Sequence, residues 1–503
     1  LVPFNSTNVT PSMLGITEEW LDLTVTTDCD QVCIDLIVEE ESTKLVNFVR
    51  GFNAFDEVAP TDIRPWIMGD ILHSRPLVVN YDKSDPNKTY IFVGTNGGML
   101  HAISNADGSE AWSFIPPDLL PRLKYLPEWE HSYYVDGSAS IYIHDDDSDG
   151  VITAGVDTAI LVFGLRRGGG WQDLDHSGSH GAYYALDVTD PEDPAFLWKI
   201  DNSTAGFSEL AQTWSQPQFA KVKVTEGDNV VSKIVAFFGA GYDNVEDLRY
   251  GSTERYPVSR ITGPTEGFSR GRSDNENDNS VEASDAVKRG RAVYAIEMAT
   301  LGSDSFNTSN SGTLLWSASP ANPATEPVRE QIDIEHSVPS DVLVFDRNGD
   351  GFADRLYFSD VGGNVWRTKL FGDPGYWATT KIFSSNPGQT NGTADATTGR
   401  KLFYRLDASI LKDEGTLLLF GSGDRAHPLN HLSPGPSGAV VDRLYAVIDY
   451  DGYNYDTYGA LTEGDLQDVT DNVLHQEQAP DGVDIDELRT AIRDGNGWYI
   501  RLN

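Results

Sequence analysis

The nine residues from Asp346 to Asp354, with the sequence DRNGDGFAD, have the types and spacing needed to bind calcium. Side chains that carry oxygen stand at the first, third, fifth and ninth positions, and a glycine stands at the sixth, where a loop around an ion turns sharply. The predicted ligands are the side chains of Asp346, Asn348, Asp350 and Asp354 and the backbone carbonyl of Phe352. Three carboxylates this close repel one another unless a cation lies among them. The alternative interpretation is an acidic, solvated turn without an ion.

The residues after this loop distinguish it from an EF-hand. The twelfth position, where an EF-hand carries a bidentate glutamate, is Tyr357. The segment RLYFSD, from position 355, alternates as a strand does and lacks helical periodicity. The sequence therefore predicts a calcium loop between β-strands.

A second acidic loop repeats part of the same spacing. Its predicted ligands are the side chains of Asp145, Asp147 and Asp149 and the carbonyl of Val151, with Gly150 at the sixth position. The ninth position is Thr153, a weak ligand for calcium. Both a looser calcium site and a solvated hairpin tip are compatible with this sequence.

Short strands are the elements that must position these loops. The first group of strands is predicted at Leu77–Tyr81, Tyr90–Thr95, Met99–Asn105 and Glu110–Ile115, with turn residues between them. The same order of strand motifs recurs in four later parts of the chain, one of which carries the loop at 346–354 between its first two strands. A repeated four-stranded unit is typical of a β-propeller. A set of independent β-sandwiches is the alternative.

The predicted organisation is all-β with a few short helices. Residues 1–45 form a lead-in segment and residues 46–503 form the propeller, with long insertions at about 243–289 and 385–399. A short helix is predicted at Asp484–Arg493, because acidic residues fill its first turn. The last residues, GWYIRLN, have the pattern of a first strand, so the closing blade could be incomplete. The chain lacks an initiator methionine and a signal peptide, and we expect it to come from a longer precursor.

The charge balance excludes some classes of partner. The net charge of −40, from 37 Lys and Arg against 77 Asp and Glu, predicts repulsion from nucleic acids and from anionic lipid surfaces. No stretch of apolar residues is long enough to span a membrane. The motifs of zinc hydrolases, nucleophile elbows and phosphate-binding loops are missing, so no catalytic residue is predicted.

The two cysteines, Cys29 and Cys33, are close together in the sequence. A pair at this spacing in a chain with extracellular character favours one local disulfide. A reduced, buried pair is the alternative.

Four segments together resemble a known family. They are IMGDILHSRP at 67–76, GTNGGMLHAI at 94–103, YYALDVTDP at 183–191, and the loop with its following strands at 346–367. This combination resembles the C-terminal β-propeller of the PilY/PilC family, which contains large proteins at the tips of bacterial type IV pili. The resemblance runs from about residue 45 to the end of the chain.

The resemblance implies a modified seven-bladed propeller with a calcium loop whose ligands are the five residues named above. It implies a non-enzymatic role, in which calcium occupancy regulates pilus extension and retraction and supports surface attachment and twitching motility. The implied partners are minor pilins and other components of the tip complex, and a host or abiotic surface. The implied location is the pilus tip and the cell surface, after export through the periplasm.

Two other functions fit parts of the pattern. Dehydrogenases that depend on pyrroloquinoline quinone are also propellers with calcium, but in them the ion lies with the cofactor at the central channel. A passive scaffold for pilus assembly is the other alternative.

Overall fold

Strands dominate the part of the chain that the computed structural model describes. The described residues are 1–26, 29–56, 58–127, 131–169, 181–243, 289–302, 306–320, 329–387, 399–411, 415–426, 440–450, 454–471 and 484–502. They fall into two compact units: one contains Leu1–Gly169 and Tyr183–Lys199, and most of the other lies after residue 200. The predicted insertions at about 243–289 and 385–399 lie, apart from their ends, outside the described residues.

The first unit is built around two four-stranded antiparallel sheets in which strands adjacent in sequence are also adjacent in the sheet. The first sheet contains β1 (Leu77–Asn80), β2 (Thr89–Gly94), β3 (Leu100–Ser104) and β4 (Glu110–Phe114). The second contains β5 (Ala139–His144), β6 (Thr158–Gly164), β7 (Ala182–Asp187) and β8 (Ala195–Asp201). The strands of the first sheet confirm the four predicted from sequence to within a residue or two.

The described residues of the second unit form three larger sheets. The third sheet has the order β14-β13-β11-β10-β9, with β12 beside β11. Its strands are β9 (Gln218–Glu226), β10 (Asn229–Gly239), β11 (Val293–Leu301), β12 (Phe306–Asn307), β13 (Thr313–Ser319) and β14 (Arg329–Gln331). Short parallel strands complete the edges of all three sheets, so the plain four-stranded pattern is extended here.

The fourth and fifth sheets come after the third along the chain. The fourth contains β15 (Leu343–Phe345), β16 (Arg355–Ser359), β17 (Asn364–Lys369), β18 (Ala378–Ser384) and β22 (Leu461–Thr462). The fifth contains β19 (Asp407–Ile410), β20 (Gly415–Gly421), β21 (Arg443–Tyr450), β23 (Gln467–Asp468) and β24 (Gly497–Arg501). The final segment of the chain therefore forms a strand, and β24 pairs antiparallel with β21.

In the part of the chain that the structure describes, three α-helices lie outside the sheets: α1 (Gln31–Val49), α2 (Tyr455–Tyr458) and α3 (Ile485–Asp494). Single 3₁₀ turns occur at Ser12–Leu14, Pro86–Lys88, Arg166–Gly168, Pro374–Tyr376 and Glu463–Asp465, and a longer one at Pro117–Tyr125. The Asp30 side chain caps α1 by accepting the N–H of Cys33, and the sulfurs of Cys29 and Cys33 are bonded beside this cap. Asp484 caps α3 in the same way, at the start predicted from sequence.

The sheets are held together by buried apolar side chains. In the second unit, Trp316, Trp377, Phe237 and Leu356 belong to one cluster of side chains that solvent scarcely reaches. Burial of each such side chain contributes about 1.5–3 kcal/mol relative to leaving it exposed. All five residues of β16 are buried, so the loop that precedes this strand is attached to a fixed element.

Candidate calcium sites

The loop at 346–354, hereafter loop one, is the connection of a hairpin. It joins β15 to β16, and the residues on either side of it, Phe345 and Arg355, are paired across the two strands. The N–H of Asp354 donates to the Phe345 carbonyl at 3.1 Å, and the Asp354 carbonyl accepts the N–H of Leu370 at 3.0 Å. Asp354 is therefore fixed to both neighbouring strands, and its side chain is buried.

The side-chain oxygens of loop one accept backbone N–H groups of the same loop. Asp346 Oδ2 accepts Gly351 N at 2.7 Å, and Asp346 Oδ1 accepts the N–H groups of Gly349 and Asp350 at 2.7 and 3.2 Å. Asn348 Oδ1 accepts Asp350 N at 2.9 Å. These bonds turn the chain tightly, but they do not bring one oxygen from each of Asp346, Asp350 and Asp354 within 4.8 Å of the others.

Two carboxyls of loop one have shifted pKa values, in opposite directions. A hydrogen bond from Lys223 and the N–H of Phe352 lower the pKa of the Asp350 carboxyl. Burial raises the pKa of the Asp354 carboxyl, although the N–H of Arg347 opposes this effect. Asp350 is thus stabilised as an anion. Burial disfavours the charged form of Asp354 even though Arg355 Nη1 lies 3.6 Å from its Oδ1.

The second acidic loop, hereafter loop two, is also a hairpin connection. It joins β5 to β6, and the paired residues that flank it are His144 and Thr158. Loop two therefore covers residues 145–157, four more than loop one. Each acidic loop therefore connects two adjacent antiparallel strands of its own sheet.

Three hydrogen bonds of loop two repeat bonds of loop one at the same positions, whereas the two bonds that Asp346 Oδ1 accepts have no counterpart at Asp145 Oδ1. Asp145 Oδ2 accepts Gly150 N at 3.0 Å, as the first residue of loop one does with its glycine. Asp147 Oδ1 accepts Asp149 N at 3.3 Å, and Asp149 Oδ1 accepts Val151 N at 2.7 Å. The counterpart of the last bond in loop one joins Asp350 Oδ1 to Phe352 N at 3.0 Å.

Backbone conformation gives a further match between the loops. The glycines at the sixth position, Gly150 and Gly351, have the same φ of +84°. The fourth positions, Ser148 and Gly349, also have positive φ, +57° and +75°. A β-carbon disfavours this left-handed region. Loop two adopts the same turn nevertheless, with a serine at the fourth position where loop one has a glycine.

The residue that closes loop two is Asp157, which the spacing rule did not reveal. In loop one Asp354 Oδ1 accepts the N–H of the second loop residue, Arg347, at 3.2 Å. In loop two the N–H of the second residue, Asp146, donates in the same way to Asp157 Oδ1 at 2.8 Å. Asp157 Oδ2 accepts the N–H of Thr153 at 2.7 Å. Asp157 is buried and directly precedes β6, as Asp354 directly precedes β16.

The carboxylates of loop two are gathered closely. One oxygen from each of Asp145, Asp147 and Asp149 lies within 4.8 Å of the others, and among the described residues this is the one such group of three or more acidic, His or Cys side chains. Asp145 Oδ1 is buried and accepts no hydrogen bond from any described residue. A buried anionic oxygen without a partner is costly, and hard oxygen ligands in this spacing suit Ca²⁺. The residues of loop two therefore fit the ion.

Each loop is also attached to another sheet of its own unit through its eighth residue. The N–H of Ala353 donates to the carbonyl of Lys221 on β9 at 2.8 Å. The N–H of Ile152 donates to the carbonyl of Tyr81, just after β1, also at 2.8 Å. An ion in either loop would lie at a junction between two sheets.

No helix among the described residues is long and apolar enough to cross a membrane.

Taken together, these features define a β-rich chain of mainly antiparallel sheets with acidic loops in two of its hairpins. No family model matches the chain. A type IV pilus biogenesis factor PilY1 homologue from Xylella fastidiosa is 24% identical over 423 residues, covering 76% of this chain and 23% of the relative. The PilY1 biogenesis factor of Pseudomonas aeruginosa is 24% identical over 399 residues, covering 74% of this chain and 26% of the relative.

The chain is homologous to these PilY1 proteins. It spans about a quarter of the length of either relative. Among solved structures, the C-terminal domain of Pseudomonas aeruginosa PilY1 has 20% sequence identity and a TM-score of 0.44, covering 76% of this chain and 61% of that domain.

Proposed function

We propose that this chain is the calcium-binding part of a type IV pilus biogenesis factor that has no catalytic role of its own. The homology to PilY1 proteins supports the assignment to pilus biogenesis. The matched architecture of loops one and two supports calcium binding, and the buried, unpartnered Asp145 Oδ1 is the observation that carries it.

In this proposal each loop holds one calcium ion. Loop one supplies Asp346, Asn348, Asp350 and Asp354 by side chain and Phe352 by carbonyl. Loop two supplies Asp145, Asp147, Asp149 and Asp157 by side chain and Val151 by carbonyl. The number and kind of these oxygens favour a micromolar to millimolar dissociation constant, which suits extracellular calcium.

Occupancy of such a loop can be transmitted to the pilus machinery through strand geometry. The ion would supply positive charge that offsets repulsion between carboxylates. The last aspartate of each loop, Asp354 or Asp157, directly precedes a buried strand. The eighth residue of each loop forms a backbone hydrogen bond to another sheet. Binding stabilises the conformation in which the site is formed, so calcium shifts an equilibrium between two arrangements of these strands.

The finer architecture and setting are part of the same proposal. We infer that the sheets are blades of a modified seven-bladed propeller, with the five sheets of the described residues as its visible blades. The protein then acts at the pilus tip on the cell surface, together with minor pilins. There it regulates the balance of extension and retraction and supports surface attachment and twitching motility.

Calcium-dependent motility of a loop variant tests this function. Bacteria that carry Asp350→Ala in loop one are expected to assemble the protein but to lose the response of twitching to added calcium or to a chelator. A passive scaffold would give motility that is the same in the variant and the parent. Dye-linked oxidation of alcohols by the purified protein would instead support a quinone-dependent dehydrogenase.

A further inference from the structure

A lysine from a neighbouring sheet reaches the ligands of loop one. Lys223 Nζ lies 2.8 Å from Asp350 Oδ2 and 4.2 Å from the centre of the Phe352 ring. Asp350 and Phe352 are the fifth- and seventh-position ligands in the proposed site. The lysine is 127 residues away in sequence, so only the fold brings it to the loop.

The position of Lys223 results from the attachment of the loop to β9. The Lys221 carbonyl accepts the N–H of Ala353, and Lys223 lies two residues further along the same strand. Side chains two apart on a strand point to the same side, and Lys221 and Lys223 are both exposed while Val222 and Val224 are buried. The ammonium group is therefore directed toward the carboxylates by the strand that holds the loop.

Loop two has a lysine in the corresponding place with a different contact. The Tyr81 carbonyl accepts the N–H of Ile152, and Lys83 lies two residues beyond Tyr81. Lys83 Nζ is close to Gly150, at 3.3 Å from where a β-carbon of that residue would lie. No carboxylate of a described residue forms an ion pair with it, whereas Lys223 pairs with the fifth-position ligand of loop one.

We propose that Lys223 is a tethered counter-ion that sets the calcium affinity of loop one. This inference rests on the proposed calcium binding of that loop. Asp350 Oδ2 is held by the ammonium group, so calcium can use this carboxylate fully only when the ion pair is broken. Binding at loop one is then an exchange of cations, which lowers its affinity and releases a side chain of β9 when the loop is loaded.

The exchange raises the calcium concentration at which loop one is half-occupied above the value it would have without Lys223. A half-exposed ion pair contributes little to stability, because water and salt screen it. Its loss therefore leaves the fold intact, and the effect on calcium affinity is a moderate factor. Because the competing cation is fixed to another sheet, occupancy of the loop is coupled to the contact between loop and sheet.

Calcium titration of two matched variants tests the proposal. Lys223→Met keeps most of the apolar side chain over Phe352 and removes its charge, and is expected to tighten binding at loop one roughly three- to tenfold. Lys221→Met removes the same charge from the same strand face, where no ion pair to the loop exists among the described residues. It is expected to change the affinity less than twofold.

Equal effects of the two substitutions would mean that only net charge matters, and would overturn the proposal. An unchanged affinity in Lys223→Met would overturn it as well. Either result would leave calcium binding itself standing. If the parent protein and an Asp350→Ala variant bind the same amount of calcium, the proposed site at loop one fails, and the role of Lys223 fails with it.

Discussion

Loops one and two have the same skeleton but balance their negative charge differently. In both, the first residue accepts the N–H of a glycine with φ of +84°, and the last aspartate accepts the N–H of the second residue. Loop one neutralises Asp350 with Lys223. Loop two gathers three carboxylates within 4.8 Å and leaves Asp145 Oδ1 without a hydrogen bond.

The difference indicates that hydrogen bonds within the loop fix its shape. Side chains from a neighbouring sheet determine how far its carboxylates are neutralised. The backbone turn is encoded by residues of the loop itself. The lysines come from neighbouring sheets. Lys223 pairs with a carboxylate of loop one, whereas Lys83 lies beside Gly150 and pairs with no carboxylate of the described residues. We therefore expect loop two to bind calcium more tightly than loop one.

The largest expected effect is loss of the fifth-position carboxylate. Asp149→Ala and Asp350→Ala should each weaken calcium binding at their own loop by about 100-fold or more and leave the other loop unchanged, because each removes a charged ligand. Calorimetric titration measures both affinities. Asp146→Ala is the control, since the Asp146 side chain lies outside the gathered group and contacts His144. Undiminished binding in Asp149→Ala would show that loop two is only an acidic hairpin.

The next effect separates Asp157 from Thr153. Asp157→Asn keeps the size of the side chain and removes its charge, and is expected to weaken calcium binding at loop two about tenfold or more. Thr153→Val should change it less than twofold, because the N–H of Thr153, not its side chain, contacts Asp157. Calcium titration of the two variants side by side shows which residue supplies the last side-chain ligand of loop two. A larger loss in Thr153→Val than in Asp157→Asn would assign that role to Thr153.

Much of this arrangement could be predicted because it is local. Strands of the first sheet are indicated by apolar runs separated by turn residues. The hairpin loop at 346–354 is indicated by its turn residues, while its calcium ligands stay a prediction from spacing. The start of α3 is indicated by Asp484 and the acidic turn after it. In each case the residues that determine the structure are adjacent in sequence.

The remaining features depend on contacts between distant residues. Asp157 lies beyond the regular spacing because loop two contains four more residues than loop one, and only the pairing of His144 with Thr158 shows where it closes. Lys223 precedes loop one by more than a hundred residues, and its role appears once β9 is seen to hold Ala353. Short parallel edge strands such as β22 carry too few residues to give a sequence signal.

A smaller effect is expected at the sixth-position glycines. Gly351→Ala has open space around the new methyl group, so its cost is the left-handed backbone alone, about 1–2 kcal/mol, or a five- to thirtyfold loss of calcium affinity. Gly150→Ala should cost more, because its β-carbon would lie 3.0 Å from Lys83 Cδ. Titration compares the two variants. An equal or smaller loss in Gly150→Ala would show that Lys83 moves away freely.

The smallest effect is expected from Ser148→Gly. Ser148 has φ of +57° in loop two where loop one has Gly349. Glycine adopts this conformation without strain but has more freedom in the unfolded chain, so the net gain should be under about 1 kcal/mol. Calcium affinity at loop two is then expected to rise less than fivefold. A loss of affinity would indicate that the serine side chain contributes to the site.

The most direct test of the central claim is the number of calcium ions bound by the parent chain and by the double variant Asp149→Ala, Asp350→Ala. Calorimetric titration of both proteins under the same conditions gives the difference, whatever weak sites the acidic surface adds. If both loops are calcium sites, the parent binds two more ions than the double variant. Equal numbers in the two proteins would contradict the account.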